Sequence, residues 1–125
     1  MNIYKYAIAA VLIFATVTAN AASSNKWRLQ VSGNAESDGL VTIFVNPDDA
    51  PLIRAEITIN QGTSENRVAK RIVRWLRKQL PSDHFRIERD DGEDVLIKKR
   101  LFKSNFVVRV HSNTVKGLRI TRNRE

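Results

Sequence analysis

The sequence contains no cysteine among its 125 residues. No disulfide can therefore stabilise the fold, and thiol catalysis and cysteine-ligated zinc sites are excluded. Stability must come from apolar burial and backbone hydrogen bonds, so we expect a genuine hydrophobic core.

Aromatic residues are also few, at 7% of the chain. Beyond residue 21 there is no tyrosine and no methionine, and the aromatic residues are Trp27, Trp75, Phe44, Phe85, Phe102 and Phe106. This set suits a core better than a stacking platform, and only Phe44 and Phe102 are expected to expose their rings. Cytosolic nucleic acid is a disfavoured partner, because its recognition normally adds stacking or groove-reading elements to charge.

Residues for catalysis are scarce as well. The two histidines, His84 and His111, form no zinc-binding helical pair, and we expect both on strand surfaces. The sequence has no G-x-S-x-G elbow and no phosphate-binding glycine loop. The acidic segment from Asp90 to Asp94 lacks the spacing of an EF-hand loop and is predicted to be a hairpin turn. We therefore expect no enzyme, no cofactor and no metal site; a small hydrolase with a pocket at either histidine is the alternative.

The longest apolar run lies at the start of the chain. Lys5 precedes an acid-free stretch from Tyr6 to Ala19, and Ala19-Asn20-Ala21 places small residues around a cleavage point. These features predict that residues 1–21 are a secretory signal peptide. The apolar run is too short to favour a spanning helix, which needs about 20 apolar residues. An uncleaved anchor is the alternative. The expected product is exported, to the periplasm or outside the cell, and residues 22–125 form one domain.

Alternating apolar residues predict strands over most of this domain. We expect strands at 27–31, 40–45 and 53–59, which could form a meander, and further strands near 85–88, 95–97, 106–110 and 118–120. The expected fold class is α+β: an antiparallel sheet of six or seven strands with one amphipathic helix packed on one face.

The helix is predicted from Thr63 to Leu80, with Thr63 or Ser64 as N-cap and Pro81 as the terminating residue. A single arc of its surface is apolar, with Trp75 at the edge, and consists of Val68, Ala69, Ile72, Val73, Leu76 and Leu80.

Positive charge is the most one-sided property of the sequence. The formal net charge is +8, or +7 without Lys5. Two groups of cations are candidates for binding an anionic partner: the outer helix face with Arg67, Lys70, Arg71, Arg74, Arg77 and Lys78, and the strand residues Arg109 and Arg119. Their expected partners are anionic lipid at a membrane surface, lipopolysaccharide, anionic polysaccharide, released nucleic acid or an acidic protein surface. An ordinary solvated helix face is the alternative interpretation.

The helix is preceded by a strand and a Gly-Thr turn. The segment Ile57-Thr58-Ile59-Asn60-Gln61-Gly62-Thr63-Ser64, followed by Val68-Ala69 and Ile72, resembles the strand, Gly-Thr turn and helix module of phage tail and bacterial surface proteins. The resemblance implies a structural, non-catalytic assembly or interaction part. A structural or assembly subunit of a cell-envelope complex is thus a second functional hypothesis, for which Phe44, Leu52 and Val107 are the candidate exposed apolar contacts.

Overall fold

The computed structural model describes residues 22–125, and the predicted signal peptide lies outside them. The order of elements is β1 (Lys26–Ser32), β2 (Gly39–Pro47), β3 (Ile53–Ile59), α1 (Glu65–Gln79), β4 (Phe85–Asp90), β5 (Asp94–Lys99), β6 (Phe106–Asn113) and β7 (Arg119–Arg124). The predicted α+β class is confirmed.

The strands form two antiparallel sheets. One sheet has the order β4-β5-β1-β7 and the other has the order β3-β2-β6. The expectation of one sheet of six or seven strands is therefore wrong, and so is the expected meander of the first three strands. β1 pairs with β5 and β7, while β2 pairs with β3 and β6. Apolar alternation specifies a strand and its buried face, but it does not specify the neighbouring strand.

The segment between β1 and β2 carries the chain from one sheet to the other. Its Ala35 is buried, and its backbone N–H donates to Thr63 O at 2.9 Å, while Gly62 N–H donates to Ala35 O at 2.8 Å. These bonds tie the crossing segment to the turn before α1. The first strand is thereby directed into a different sheet from the second.

Two hairpins have the partners that the sequence pattern predicts. β2 pairs with β3, and β4 pairs with β5 across the acidic turn. Asp91 and Gly92 in that turn have positive φ, at 49° and 80°. Positive φ is typical of tight hairpin connections and explains the Asp-Gly sequence.

The helix α1 bridges the two sheets. Its buried residues are Val68, Ala69, Ile72, Val73 and Leu76, as predicted, and Leu80 is buried just after it. The helix contacts β3 in one sheet and β1, β4 and β5 in the other. It begins after Ser64, whose side chain makes no capping hydrogen bond, and Leu80 N–H donates to Leu76 O at its end. The helix therefore packs against both sheets, and the expectation that it packs on one face of a single sheet is wrong.

On the side away from the helix, the two sheets are joined by hydrogen bonds. Ser24 and Phe106 exchange two backbone hydrogen bonds, at 2.9 and 3.0 Å. The Trp27 indole N–H donates to the same Phe106 carbonyl at 2.8 Å, and Arg122 Nη1 donates to Val108 O at 2.8 Å. The core is thus enclosed by the two sheets and the helix, and Phe106 and Leu29 are among its largest fully buried side chains.

Candidate anion-binding surface

The outer face of α1 presents the predicted cations. Five of them are exposed, namely Arg67, Lys70, Arg74, Arg77 and Lys78, whereas Arg71 is half-buried. The apolar arc faces the core, so the helical period directs these side chains away from it. The single acid of the helix, Glu65, accepts a hydrogen bond from Gly33 N–H at 3.0 Å.

Two of the six cations are also bound to the protein's own backbone. Arg71 donates to the carbonyl and the hydroxyl of Thr58, and Arg77 donates through Nε and Nη2 to Ile87 O, at 3.1 and 2.8 Å. Gln79 adds reciprocal bonds to the backbone of Glu56, at 2.9 and 3.0 Å. Side chains of α1 thus cover backbone groups of β3 and β4 at the outer strands of the two sheets, where unpaired groups would invite another strand.

The Trp75 ring contacts Arg71 and one further cation, Lys78. The Arg71 guanidinium carbon lies 5.8 Å from the centre of its ring system, and Lys78 Nζ lies 5.3 Å from it. The indole is half-buried and packs against the core. Cation–π attraction therefore orients these side chains without neutralising their charge.

Arg67, Lys70 and Arg74 make no ion pair and no side-chain hydrogen bond with any residue from Ala22 to Glu125. Their charges are uncompensated at short range and are free to meet an external anion. Arg side chains can bind phosphate, sulfate or carboxylate groups through two parallel hydrogen bonds, and Lys provides a compact charge.

Two depressions along α1 are lined mainly by these cations. The first, of about 490 Å³, is lined by Lys70, Val73, Arg74, Arg77, Lys78 and Arg89. The second, of about 310 Å³, is lined by Asn60, Thr63, Arg67, Lys70, Arg71 and Arg74. Lys70 and Arg74 line both, so the two depressions are adjacent, and neither lining contains an acid.

The depressions continue beyond the helix to the connection between β5 and β6. Arg77 and Arg100 both line a third depression of about 390 Å³, and Arg100 also lines a fourth of about 260 Å³ together with Lys26, Lys98 and Lys99. We name the surface formed by these adjoining depressions the basic track and define it by Arg67, Lys70, Arg74, Arg77, Lys78, Arg89, Lys98, Lys99 and Arg100. Glu88 is the one acid in the four linings.

Glu88 is already paired within the protein. It lies 3.0 Å from Lys98 Nζ and 2.7 Å from Arg86 Nε. The hydrogen bond from Lys98 is the largest cause of a lowered pKa for the Glu88 carboxyl, and it outweighs the partial desolvation of the group. Glu88 therefore stays ionised at neutral pH, and its charge is offset by its two cationic neighbours.

Lys98→Met is expected to raise the pKa of Glu88 toward its ordinary value of 4.5. Because the folded-state pKa is lowered, the carboxylate stabilises the fold above the unfolded-state pKa, and this stabilisation is lost as the pH falls through the folded-state value. A carbon-13 NMR titration of the Glu88 carboxyl measures the midpoint, with Lys116→Met as the control. An unchanged midpoint in Lys98→Met would show that Lys98 is not the cause.

The strand residues Arg109 and Arg119 do not line the basic track. Arg109 pairs in register with Phe44 on the outer face of the three-stranded sheet. Arg119 pairs with Ser32 on the outer face of the four-stranded sheet. The eight predicted residues therefore occupy three different surfaces, and the helix residues alone form a connected one.

Sequence reasoning did not assign Arg89 and Arg100 to a binding surface. For Arg89 a signal existed: Phe85 and Ile87 are buried, so alternation directs Arg89 to the same side, toward α1. For Arg100 no local signal existed, because its place beside Arg77 depends on how the β5–β6 connection packs against the end of the helix.

The acidic turn is engaged in an internal cluster. Arg28 Nη1 lies 2.6 Å from Asp94 Oδ2 and 3.0 Å from Asp90 Oδ2, and its Nη2 lies 3.1 Å from Glu125 Oε1. The hydrogen bonds that Arg28 donates to Asp94 and, to a smaller extent, to Asp90 raise the pKa of Arg28 above its ordinary value. The two carboxylates are thus bound by an arginine from β1, and the acidic segment forms the predicted hairpin turn.

The two histidines lie in different environments. His111 is exposed on β6 and stacks on Phe44, with ring centres 4.1 Å apart. His84 is buried instead, stacks on Phe85 at 4.3 Å and places Nε2 3.2 Å from Ser104 O. Its expected place on a strand surface is wrong, because it precedes β4 and packs under the β5–β6 connection. Residues 22–125 contain no group of three or more histidines and acids that could hold a metal ion.

No helix within the described part of the chain is long and apolar enough to cross a membrane. Comparison with the models of known protein families finds no match to this chain, and comparison with curated proteins finds no significant match. A functional proposal must therefore rest on the side chains themselves.

Proposed function

We propose that this protein is an exported, non-enzymatic binding module whose basic track receives an anionic partner. The proposal is carried by one observation: cations of α1, β4, β5 and the β5–β6 connection line adjoining depressions in which the single acid is already paired. The anionic partner is one of the envelope or extracellular species that export would bring within reach: anionic lipid, lipopolysaccharide, polysaccharide or an acidic protein surface.

The spacing of the free cations favours a ligand with several anionic groups. Lys70 and Arg74 lie one helical turn apart, about 6 Å along the axis, and Arg67 and Lys78 extend the row in both directions. A single phosphate would engage one or two of these side chains. A polyanion or a surface of anionic headgroups engages the row together, and each added contact strengthens its binding.

Lys70→Glu/Arg74→Glu is expected to weaken binding to heparin, a soluble polyanion, about tenfold or more. A cation near an anionic surface contributes about 1 kcal/mol to binding. A tenfold loss of affinity corresponds to about 1.4 kcal/mol, and two charge reversals are expected to cost more than this. The measurement is the salt concentration that elutes residues 22–125 from a heparin column, since electrostatic affinity falls steeply with salt.

The matched control is Lys116→Glu/Arg119→Glu. It changes one lysine and one arginine, both exposed and outside the basic track, and produces the same net charge. We expect it to elute close to the unmodified protein. Equal loss in both variants would mean that overall charge, and not the track, determines retention, and the proposal would then fail.

The alternative function is a structural or assembly subunit of an envelope complex. The outer face of the three-stranded sheet favours it, since Phe44 is half-buried, stacks on His111 and has Arg54 5.7 Å from its ring centre. Leu52 is 51% exposed, whereas Val107 packs against the core. Crosslinking in the native envelope discriminates the two functions: a stoichiometric protein partner on Phe44 favours assembly, and only lipid or polymer on α1 favours anion binding.

A further inference from the structure

The connection between β5 and β6 ends in an apolar tip. Lys103 N–H donates to Arg100 O at 3.2 Å and closes a four-residue turn with Leu101 and Phe102 at its centre. Leu101 is 78% exposed and Phe102 is 93% exposed, more than any other large apolar residue from Ala22 to Glu125.

Phe102 occupies this position at a cost in backbone strain. Its φ is 67°, in the left-handed region where the third residue of a turn is usually glycine or asparagine. The ring gains almost no burial in return. A phenylalanine held in a strained conformation and directed to solvent points to a contact outside the chain.

The turn is held in place on both sides. Arg100 N–H donates to His84 O at 2.7 Å, and Ser104 Oγ donates to Asp49 Oδ1 at 2.6 Å. His84 Nε2 lies 3.2 Å from Ser104 O. The tip is thus presented by a fixed base, which lowers the entropy lost when it binds.

Cations surround the tip. Lys99 and Arg100 precede Leu101, and Lys103 follows Phe102 with its Nζ 3.7 Å from Oδ2 of the exposed Asp83. Arg100 connects the tip to the basic track, because it lines one depression with Arg77 and another with Lys98 and Lys99. Two projecting apolar side chains within a group of cations match a surface that is anionic outside and apolar a few ångströms below.

We propose that the Arg100–Lys103 turn docks this protein on an anionic phospholipid bilayer. Leu101 and Phe102 enter the interface between headgroups and acyl chains, while Lys99, Arg100 and Lys103 contact lipid phosphates. A bilayer is favoured over a protein pocket because the tip offers only two apolar side chains, whereas a stable protein interface buries about 1,200 Å² or more. The inference rests on the proposed anion-binding function for its cations and adds the lipid surface as the partner.

The test is cosedimentation of residues 22–125, which contain the whole described core, with vesicles of phosphatidylglycerol and phosphatidylcholine or of phosphatidylcholine alone. Cooperative thermal unfolding first establishes that each protein is folded. We expect binding to the phosphatidylglycerol vesicles only. Phe102→Gly is expected to bind them about tenfold more weakly, because it has no aromatic side chain to transfer from water into the bilayer.

Phe102→Gly also distinguishes a loss of vesicle binding from a loss of stability. Glycine adopts a φ of 67° without strain, so this variant is expected to unfold at a higher temperature than the unmodified protein. Leu52→Ser is the apolar control, since Leu52 is 51% exposed and lies outside the Arg100–Lys103 turn. Its vesicle binding is expected to be unchanged.

Two results would overturn the inference: wild-type vesicle binding by Phe102→Gly, or a lowered unfolding temperature for that variant. The heparin column keeps this failure distinct from failure of the proposed function. Phe102→Gly should elute from heparin like the unmodified protein, whereas Lys70→Glu/Arg74→Glu should elute early.

Discussion

Ile72→Asp is expected to abolish cooperative folding of the domain. Ile72 is fully buried on the core face of α1, where the helix meets both sheets. The substitution removes an apolar side chain and places a carboxylate among apolar neighbours, a loss of about 4 kcal/mol or more. A domain of this size has about 5–15 kcal/mol of stability in total. Circular dichroism during thermal unfolding measures the result.

Arg74→Asp is the matched control for this prediction. It places the same residue on the same helix, two positions away, on the exposed face. Its effect on stability should be within about 1 kcal/mol, mainly from helix propensity and local charge. If Ile72→Asp kept the unfolding temperature of Arg74→Asp, packing of the helix between the sheets would be refuted.

Gly33→Ala is expected to lower the free energy of unfolding by about 2–4 kcal/mol. Gly33 has a φ of 83°, which an alanine adopts only with strain. A Cβ atom there would also lie 2.2 Å from the carbonyl oxygen of Gly117, so one of the two backbones must move. Chemical denaturation of the purified variant measures the loss.

Gly62→Ala separates the two causes. Gly62 has a nearly identical φ of 88°, but a Cβ atom at this position would have nothing within 4 Å. Its expected loss is therefore about 1–2 kcal/mol from backbone strain alone. Equal losses in the two variants would show that the loops containing Gly33 and Gly117 do not approach each other as closely as described.

The pair of glycines shows how far sequence reasoning extends. In the sequence both glycines lie between apolar runs, as is typical of turn residues, and both lie outside helices and strands in the structure. The close approach of Gly33 to Gly117 cannot be read from the sequence, because the two residues are far apart in the chain and meet only when β7 pairs with β1. The turn conformation of each glycine depends on residues nearby in the chain, whereas the contact between Gly33 and Gly117 depends on which strands are neighbours.

The candidate site likewise has some features that the sequence predicts and others that it does not. The helical period alone placed Arg67, Lys70 and Arg74 on one exposed face. It could not show that Arg71 and Arg77 also bind backbone of the outer strands, since those strands had no known position relative to the helix. The exposure of Phe102 was expected from the sequence, but its positive φ and its connection to the basic track were not.

The sequence by itself determined the α+β class, the strands, the helix with its buried arc, the two local hairpins and the one-sided charge of the helix surface. These properties depend on periodicity and turn chemistry within short segments, where neighbouring residues define each other's environment. Only the tertiary structure decided that the strands divide into two sheets, that α1 bridges them, and that Arg89 and Arg100 extend the helix cations into the basic track. Each of these features requires residues distant in sequence to meet, and alternation leaves the choice of partner open.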